Sequence, residues 1–250
     1  MAASASGDWF LVQGAPAVAQ WTAEDGAVRR LGCNPPCQVS ASIGTHAARG
    51  TAFFSLRVPV GLKEMGKNRT ILHLFVYPEQ VLRMRVRDHT EHPAPVRSAL
   101  VGKVEQYEST EDIVGVEFSL QRHATLIGPT SISALSSKTK ANEAVLAALH
   151  SLIHAPSITF FVPRNGNAMN KVEALCSEAC NGGLKASATE YSLAMLYGGS
   201  GGKDVGNLLA RFDPEGSEGP PSYDELALTP PPMRQKKRKS RDSCIVLACL

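Results

Sequence analysis

Two pairs of cysteines, Cys33 with Cys37 and Cys176 with Cys180, are the residues whose types and spacing come nearest to a metal centre. Four thiolates brought together would complete a tetrahedral zinc site. The four-residue spacing is looser than the C-x-x-C of zinc modules. Cys176 and Cys180 also lie one turn apart on an expected helix, where thiols act as small hydrophobes. The four are therefore weak metal candidates, and no cofactor is expected. His150 and His154 are spaced by one helical turn, but residue 151 is Ser where a metalloprotease helix carries its Glu base. They are read as flank residues near a helix C-terminus, where positive charge is favourable.

Phosphate chemistry is suggested and then rejected at residues 196–203. Gly202 and Lys203 look like the close of a Walker loop, yet residue 197 is Tyr where the first glycine should stand. Residue 204 is Asp where a hydroxyl should meet Mg²⁺. The expected reading is a flexible Gly-rich connector over 197–213. Serines and histidines occur, but no nucleophile elbow, oxyanion loop or ordered triad accompanies them. No catalytic residue is nominated, and the chain is not expected to be an enzyme.

Arg83, Arg85 and Arg87 alternate with Leu82, Met84 and Val86, a period-two strand pattern with one face on a core. Three guanidinium groups on one face could grip phosphates or an acidic partner, including nucleic acid. Against this, 26 Lys/Arg and 23 Asp/Glu in 250 residues give a net charge of only +3. Residues 1–213 are nearly neutral, so a solvated sheet face is the favoured reading.

The tail carries more specific signals. Residues 214–250 hold six of the sixteen prolines and interspersed charge, a composition that predicts disorder. Pro220, Pro221 and Tyr223 fit the P-P-x-Y ligand of WW domains, in which a polyproline II segment lies in an aromatic groove. Arg234, Lys236, Lys237, Arg238, Lys239 and Arg241 form a basic run of the kind read by nuclear import receptors. The competing use of these charges is a membrane tether. Residues 244–250 are apolar with Cys244 and Cys249, and basic residues beside an acylated cysteine hold proteins to anionic lipid. Three residues follow the prenylation-like box at 244–247, which leaves S-acylation as the lipid chemistry expected.

The elements are those of an α+β protein. Residues 51–58, 70–77, 82–87, 114–120, 124–127 and 157–162 read as strands from their apolar, β-branched and aromatic content. Weaker strand signals lie at 9–12, 18–21 and 38–43. Val145, Leu149 and Leu152 predict a helix over 139–154, with Thr139 as N-cap and Pro156 beyond its end. Asn170 is expected to open a second helix, with Glu173 completing a capping box and residues 181–183 stopping it. The expectation is a mostly antiparallel sheet with two helices in the C-terminal half, followed by a disordered tail. Its parts are a folded domain at 1–196, a connector at 197–213 and the tail at 214–250. The first eight residues carry no charged region leading into an apolar run, and no stretch reaches roughly 18 apolar residues. The cytosol or nucleus is therefore expected, with reduced cysteines.

The segments at 160–163, 181–184, 196–203, 220–226 and 229–232, together with the helix containing Leu175 and Cys176 and the terminal basic cluster, resemble a group of filamentous-fungal proteins of no known function. The similarity covers roughly residues 113–241. It implies a fungal origin and one domain plus tail, and assigns no chemistry. This chain departs from the pattern by continuing past the basic cluster into the apolar end. The sequence thus predicts a non-enzymatic interaction protein, nuclear, meeting a WW-domain protein and an import receptor. The alternatives are a peripheral membrane protein and a nucleic-acid-associated protein.

Overall fold

The computed structural model describes residues 8–33, 37–46, 50–66, 69–87, 92–101, 109–164 and 169–212. It is an α+β fold built on two sheets that are antiparallel apart from one short parallel pairing. The strands in chain order are β1 (Asp8–Pro16), β2 (Val18–Thr22), β3 (Val28–Leu31), β4 (Ser40–His46), β5 (Thr51–Val60), β6 (Thr70–Val76), β7 (Val81–Arg87), β8 (Ile113–Leu120), β9 (Thr125–Pro129), β10 (Ser157–Pro163), β11 (Lys185–Ala186) and β12 (Gly202–Asp204). The helices are α1 (Ala94–Leu100), α2 (Lys140–Ile153) and α3 (Met169–Cys180). One sheet runs β1-β4-β5-β6-β9-β12, with β11 added parallel to β5. The other runs β3-β2-β10-β8-β7.

The inner face of the larger sheet is set by its register. Phe54 pairs with Ile43 on one side and Val76 on the other, and Leu56 pairs with Ala41 and Leu74. Cross-strand partners point to the same face, and all of these side chains are fully buried. Phe118 and Phe160, from the centre of the smaller sheet, meet them: ring centroids lie 4.9 Å apart for Phe54 and Phe118, and 5.1 Å for Phe118 and Phe160. This tilted aromatic contact joins the two sheets in one apolar core.

The expected first helix is α2, capped as predicted: the Thr139 hydroxyl accepts from the Asn142 backbone N–H at 3.2 Å. Val145, Leu146, Leu149 and Leu152 bury its stripe. Trp21 Nε1 donates to Ser151 Oγ at 2.9 Å, fixing α2 to β2. Helix α3 begins at Met169, so Asn170 lies inside the first turn and not at a cap. It packs Val172, Leu175 and Ala179 into the core beside β7. The sequence reading missed α1, which is short and begins Ala-Pro. Its Val96 and Leu100 cover Phe161, Val18 and Ile113 on the outer face of the smaller sheet.

Two local expectations are corrected. Leu82 was expected in the core but is 62% exposed. A register shift between Val81 and Arg83 inserts an extra residue into β7, so Val81 and Met84, three apart, both face inward. Residues 201–212 are folded and are not a connector. Strand β12 pairs with β9 from Gly202↔Pro129 to Asp204↔Ile127, and a 3₁₀ turn follows at Gly206–Phe212. Glycine at 202 is required here because a Cβ would lie 2.7 Å from Ile127 Cγ2. The chain divides into units Met1–Ser217 and Glu218–Leu250, and the second lies outside the described residues.

The outer face of the larger sheet is closed by residues 184–204. Tyr191 is buried there against Phe53, Phe75 and Ile127. Its hydroxyl accepts from Phe54 N–H at 2.6 Å and donates to Val76 C=O at 2.7 Å, bridging the end of the β5–β6 ladder just before β11 begins. Removing that hydroxyl strands a buried donor and acceptor together. Tyr191→Phe should therefore cost about 1–3 kcal/mol of unfolding free energy by urea titration. A loss indistinguishable from zero would show that the bridge contributes nothing.

Candidate functional site

The region that imitates a phosphate loop is part of the sheet's cover. Tyr197 adopts φ 54°, the one non-glycine in the left-handed region among the described residues. Its hydroxyl lies 2.8 Å from Ile71 C=O and 3.1 Å from Ile127 C=O, so it donates into the backbone of β6 and β9. Burial pushes that hydroxyl's pKa well up. The backbone strain is held by this anchor, and the following glycines at φ 67° and 87° complete the turn. His73 stands edge-on to Tyr197, with ring centroids 5.6 Å apart. Burial, and then the charge of Arg57, lowers the His73 pKa to about 4. Neutral at pH 7, it serves packing here.

Beside β11, Ser187 donates to Glu190 Oε2, and His46 Nε2 makes an ion-pair contact of 2.9 Å with Glu190 Oε1. Burial raises the Glu190 pKa, but its hydrogen bonds to Ser187 and His46 outweigh this and hold it low. The carboxylate stands between hydroxyl and imidazole. A nucleophilic serine needs the imidazole in that middle place, so this trio fastens residues 187–190 to the end of β4.

Two of the three arginines in the β7 row share one carboxylate. Glu117, cross-strand on β8, receives Arg85 Nε at 2.5 Å and Arg87 Nε at 3.0 Å. Ser157 on β10 adds a third contact, donating to Glu117 Oε1 at 3.2 Å. Burial would raise the Glu117 pKa, and the hydrogen bonds and charges of Arg87 and Arg85 reverse that shift and lower it. Only Arg83 projects without an ion pair to a described residue. The row is a cross-strand charge network in which one carboxylate is shared by two guanidinium groups, so a net positive charge remains on this face.

The cysteine pairs do not share a site. Cys33 follows β3, at one edge of the smaller sheet, whereas Cys176 and Cys180 ride on α3 along β7 at the other. Four strand spacings of about 4.8 Å separate those edges by about 19 Å, too far for one ion. Burial pushes the Cys37 and Cys176 thiols up to about 11, the behaviour of packed side chains and not of nucleophiles.

Sequence reasoning missed what surrounds His150 and His154. His154 caps the C-terminus of α2, its ring 5.0 Å from that of His150 and 5.2 Å from that of His123, which arrives from the β8–β9 connection. With Asp204 and Asn207 they line a hollow of about 330 Å³. Position 123 lies 27 residues before His150, so no local spacing could have linked them. A larger cleft of about 620 Å³ lies between α1, the start of β2 and the outer face of β4–β6. Val18, Val39, Pro59, Ile71 and Leu100 supply apolar walls, and Arg57 is the one charged lining residue. It can seat apolar surface, but its lining residues include no convergent set of polar groups for chemistry.

Pro220, Pro221, Tyr223, Arg234, Lys236, Lys237, Arg238, Lys239, Arg241, Cys244 and Cys249 all lie outside the described residues. No family profile, curated protein or solved structure matches the chain.

The His73 shift yields a pH dependence with a definite sign. The unfolded chain binds the imidazole proton near the ordinary value of 6.5 and the native state only near 4. Between those values the unfolded state holds more protons, so stability rises with pH. The stabilisation is complete above pH 6.5 and is lost as pH falls toward 4, by on the order of 1–3 kcal/mol. Urea titrations from pH 7 to 4 should show a shallower fall in His73→Leu than in the native chain. Parallel curves would remove His73 as the source.

Proposed function

We propose that the protein is a non-enzymatic, nuclear interaction protein in which the two-sheet body is a scaffold and the tail carries recognition. The observation that carries this reading is the tail sequence: a P-P-x-Y segment at Pro220, Pro221 and Tyr223, followed in sequence by the basic run from 234 to 241. A WW domain reads the first through its aromatic groove, and an import receptor reads the second through its cationic side chains. The state of the body's polar groups supports the division. Arg85 and Arg87 are spent on Glu117, Tyr197 on sheet carbonyls, and Glu190 on Ser187 and His46. These groups stabilise the scaffold and leave recognition to the tail.

A second reading is favoured by one feature, the apolar Cys244 and Cys249 segment beside the basic run. S-acylation there with adjacent cations would tether the protein to anionic membrane. The nucleic-acid reading, with Arg83, Arg85 and Arg87 beside the basic tail, is weakened by Glu117, which already engages two of the three guanidinium groups.

The two main readings respond to different substitutions. Lys236, Lys237, Arg238 and Lys239 replaced together by Ala should empty the nucleus of the tagged protein, while Cys244→Ser with Cys249→Ser changes little. Release from membranes by the double cysteine variant would install the tether in its place. For the proline–tyrosine segment, Tyr223→Ala should abolish capture of a tail peptide by WW domains, with the melting temperature of the whole protein unchanged. Equal capture by the variant peptide would reject the motif.

A further inference from the structure

We propose that His123, His150 and His154 form a binding site for one borderline divalent transition ion of the Zn²⁺ or Cu²⁺ class, with Asp204 as a fourth donor. The inference rests on the body alone and goes beyond the tail-based reading. Neutral imidazole nitrogens are the natural ligands of such ions. Two of these imidazoles are stacked by the helix itself, since residues four apart lie one above the other on the same face. The third is delivered by the β8–β9 connection, and the three rings border one hollow of about 330 Å³.

The spacing suits the chemistry. An ion held tetrahedrally at about 2.1 Å from imidazole nitrogens places two ring centroids about 5 Å apart. The pairs His150–His154 and His123–His154 stand at 5.0 and 5.2 Å. Asp204 lines the same hollow. Its Oδ1 accepts from the Gly206 N–H at 2.8 Å, and an ionised carboxylate has a second oxygen that can serve as a donor to an ion. The site also lies at the C-terminus of α2, where the negative end of the helix dipole favours a cation. Among the described residues no group of three such side chains is already placed to hold a metal ion, and His123 and His150 meet through His154 and not in a ring contact of their own. Closure therefore requires ring rotation, for which the exposed positions of His123 and His154 and the half-burial of His150 leave room.

The test is calorimetric titration of the full-length chain with Zn²⁺, paired with Co²⁺ absorption, which reports thiolate ligands by a strong near-ultraviolet charge-transfer band. The proposal expects one Zn²⁺ per chain, a Co²⁺ spectrum without the thiolate band, and an affinity at least tenfold weaker in each of H123N, H150N and H154N. Melting temperatures without metal identify any variant that is merely unfolded. H123N and H154N alter exposed side chains, so at least these two remain informative. No Zn²⁺ uptake by the native chain, uptake unchanged in H123N or H154N, or a thiolate band for Co²⁺ would each overturn the site.

Discussion

The contact of Phe54 with Phe118, and of Phe118 with Phe160, is the constraint on which the rest of the body depends. These rings come from central strands of opposing sheets, so they fix which face of each sheet is inner. A slip of one residue in β5 would turn Phe54 outward and bring Phe53 and Ser55 in. Burial of the inner set supplies the apolar driving force at about 25 cal/mol per Å². The outer faces then require cover, because each bears its own row of large side chains.

That cover is divided between two devices. On the smaller sheet, α1 shields Phe161 and Ile113. On the larger, residues 184–204 supply Tyr191, Leu193 and Leu196 over Phe53, Phe75 and Ile127. A loop crossing a sheet face must satisfy any backbone groups it seals from water. Tyr191 and Tyr197 do this with their hydroxyls, one at the end of the β5–β6 ladder and one at β6 and β9. Both side chains are therefore hydrogen-bonding parts of the sheet as well as apolar packing. The glycines that suggest a phosphate loop let the chain turn closely enough for β12 to pair with β9.

Much of this was legible locally. The period of Val145, Leu149 and Leu152 with Thr139 ahead of it located α2, because cap and stripe are both short-range features. The inner strands were legible from aromatic and β-branched runs, and the α+β class followed from their order. What escaped depends on contacts distant in sequence. The bulge in β7 is decided by pairing with β8, so simple alternation placed Leu82 on the wrong face. Strand β12 is three residues long and contains glycine, and it is a strand only because β9 lies beside it. Glu117 could not be matched to Arg85 and Arg87 until β7 and β8 were known to be neighbours. His123 joined His150 and His154 for the same reason.

The proposed function divides the molecule: the body holds packing and charge networks, and recognition is assigned to residues 214–250 as a proposal. The most direct test of that division is transfer of the tail to a fluorescent carrier too large to diffuse through nuclear pores. It should be imaged beside the same carrier bearing residues 1–213. The account predicts that residues 214–250 alone bring the carrier into the nucleus and that residues 1–213 leave it in the cytoplasm. Nuclear entry driven by residues 1–213, or a tail-bearing carrier that stays in the cytoplasm or collects on membranes, would contradict it.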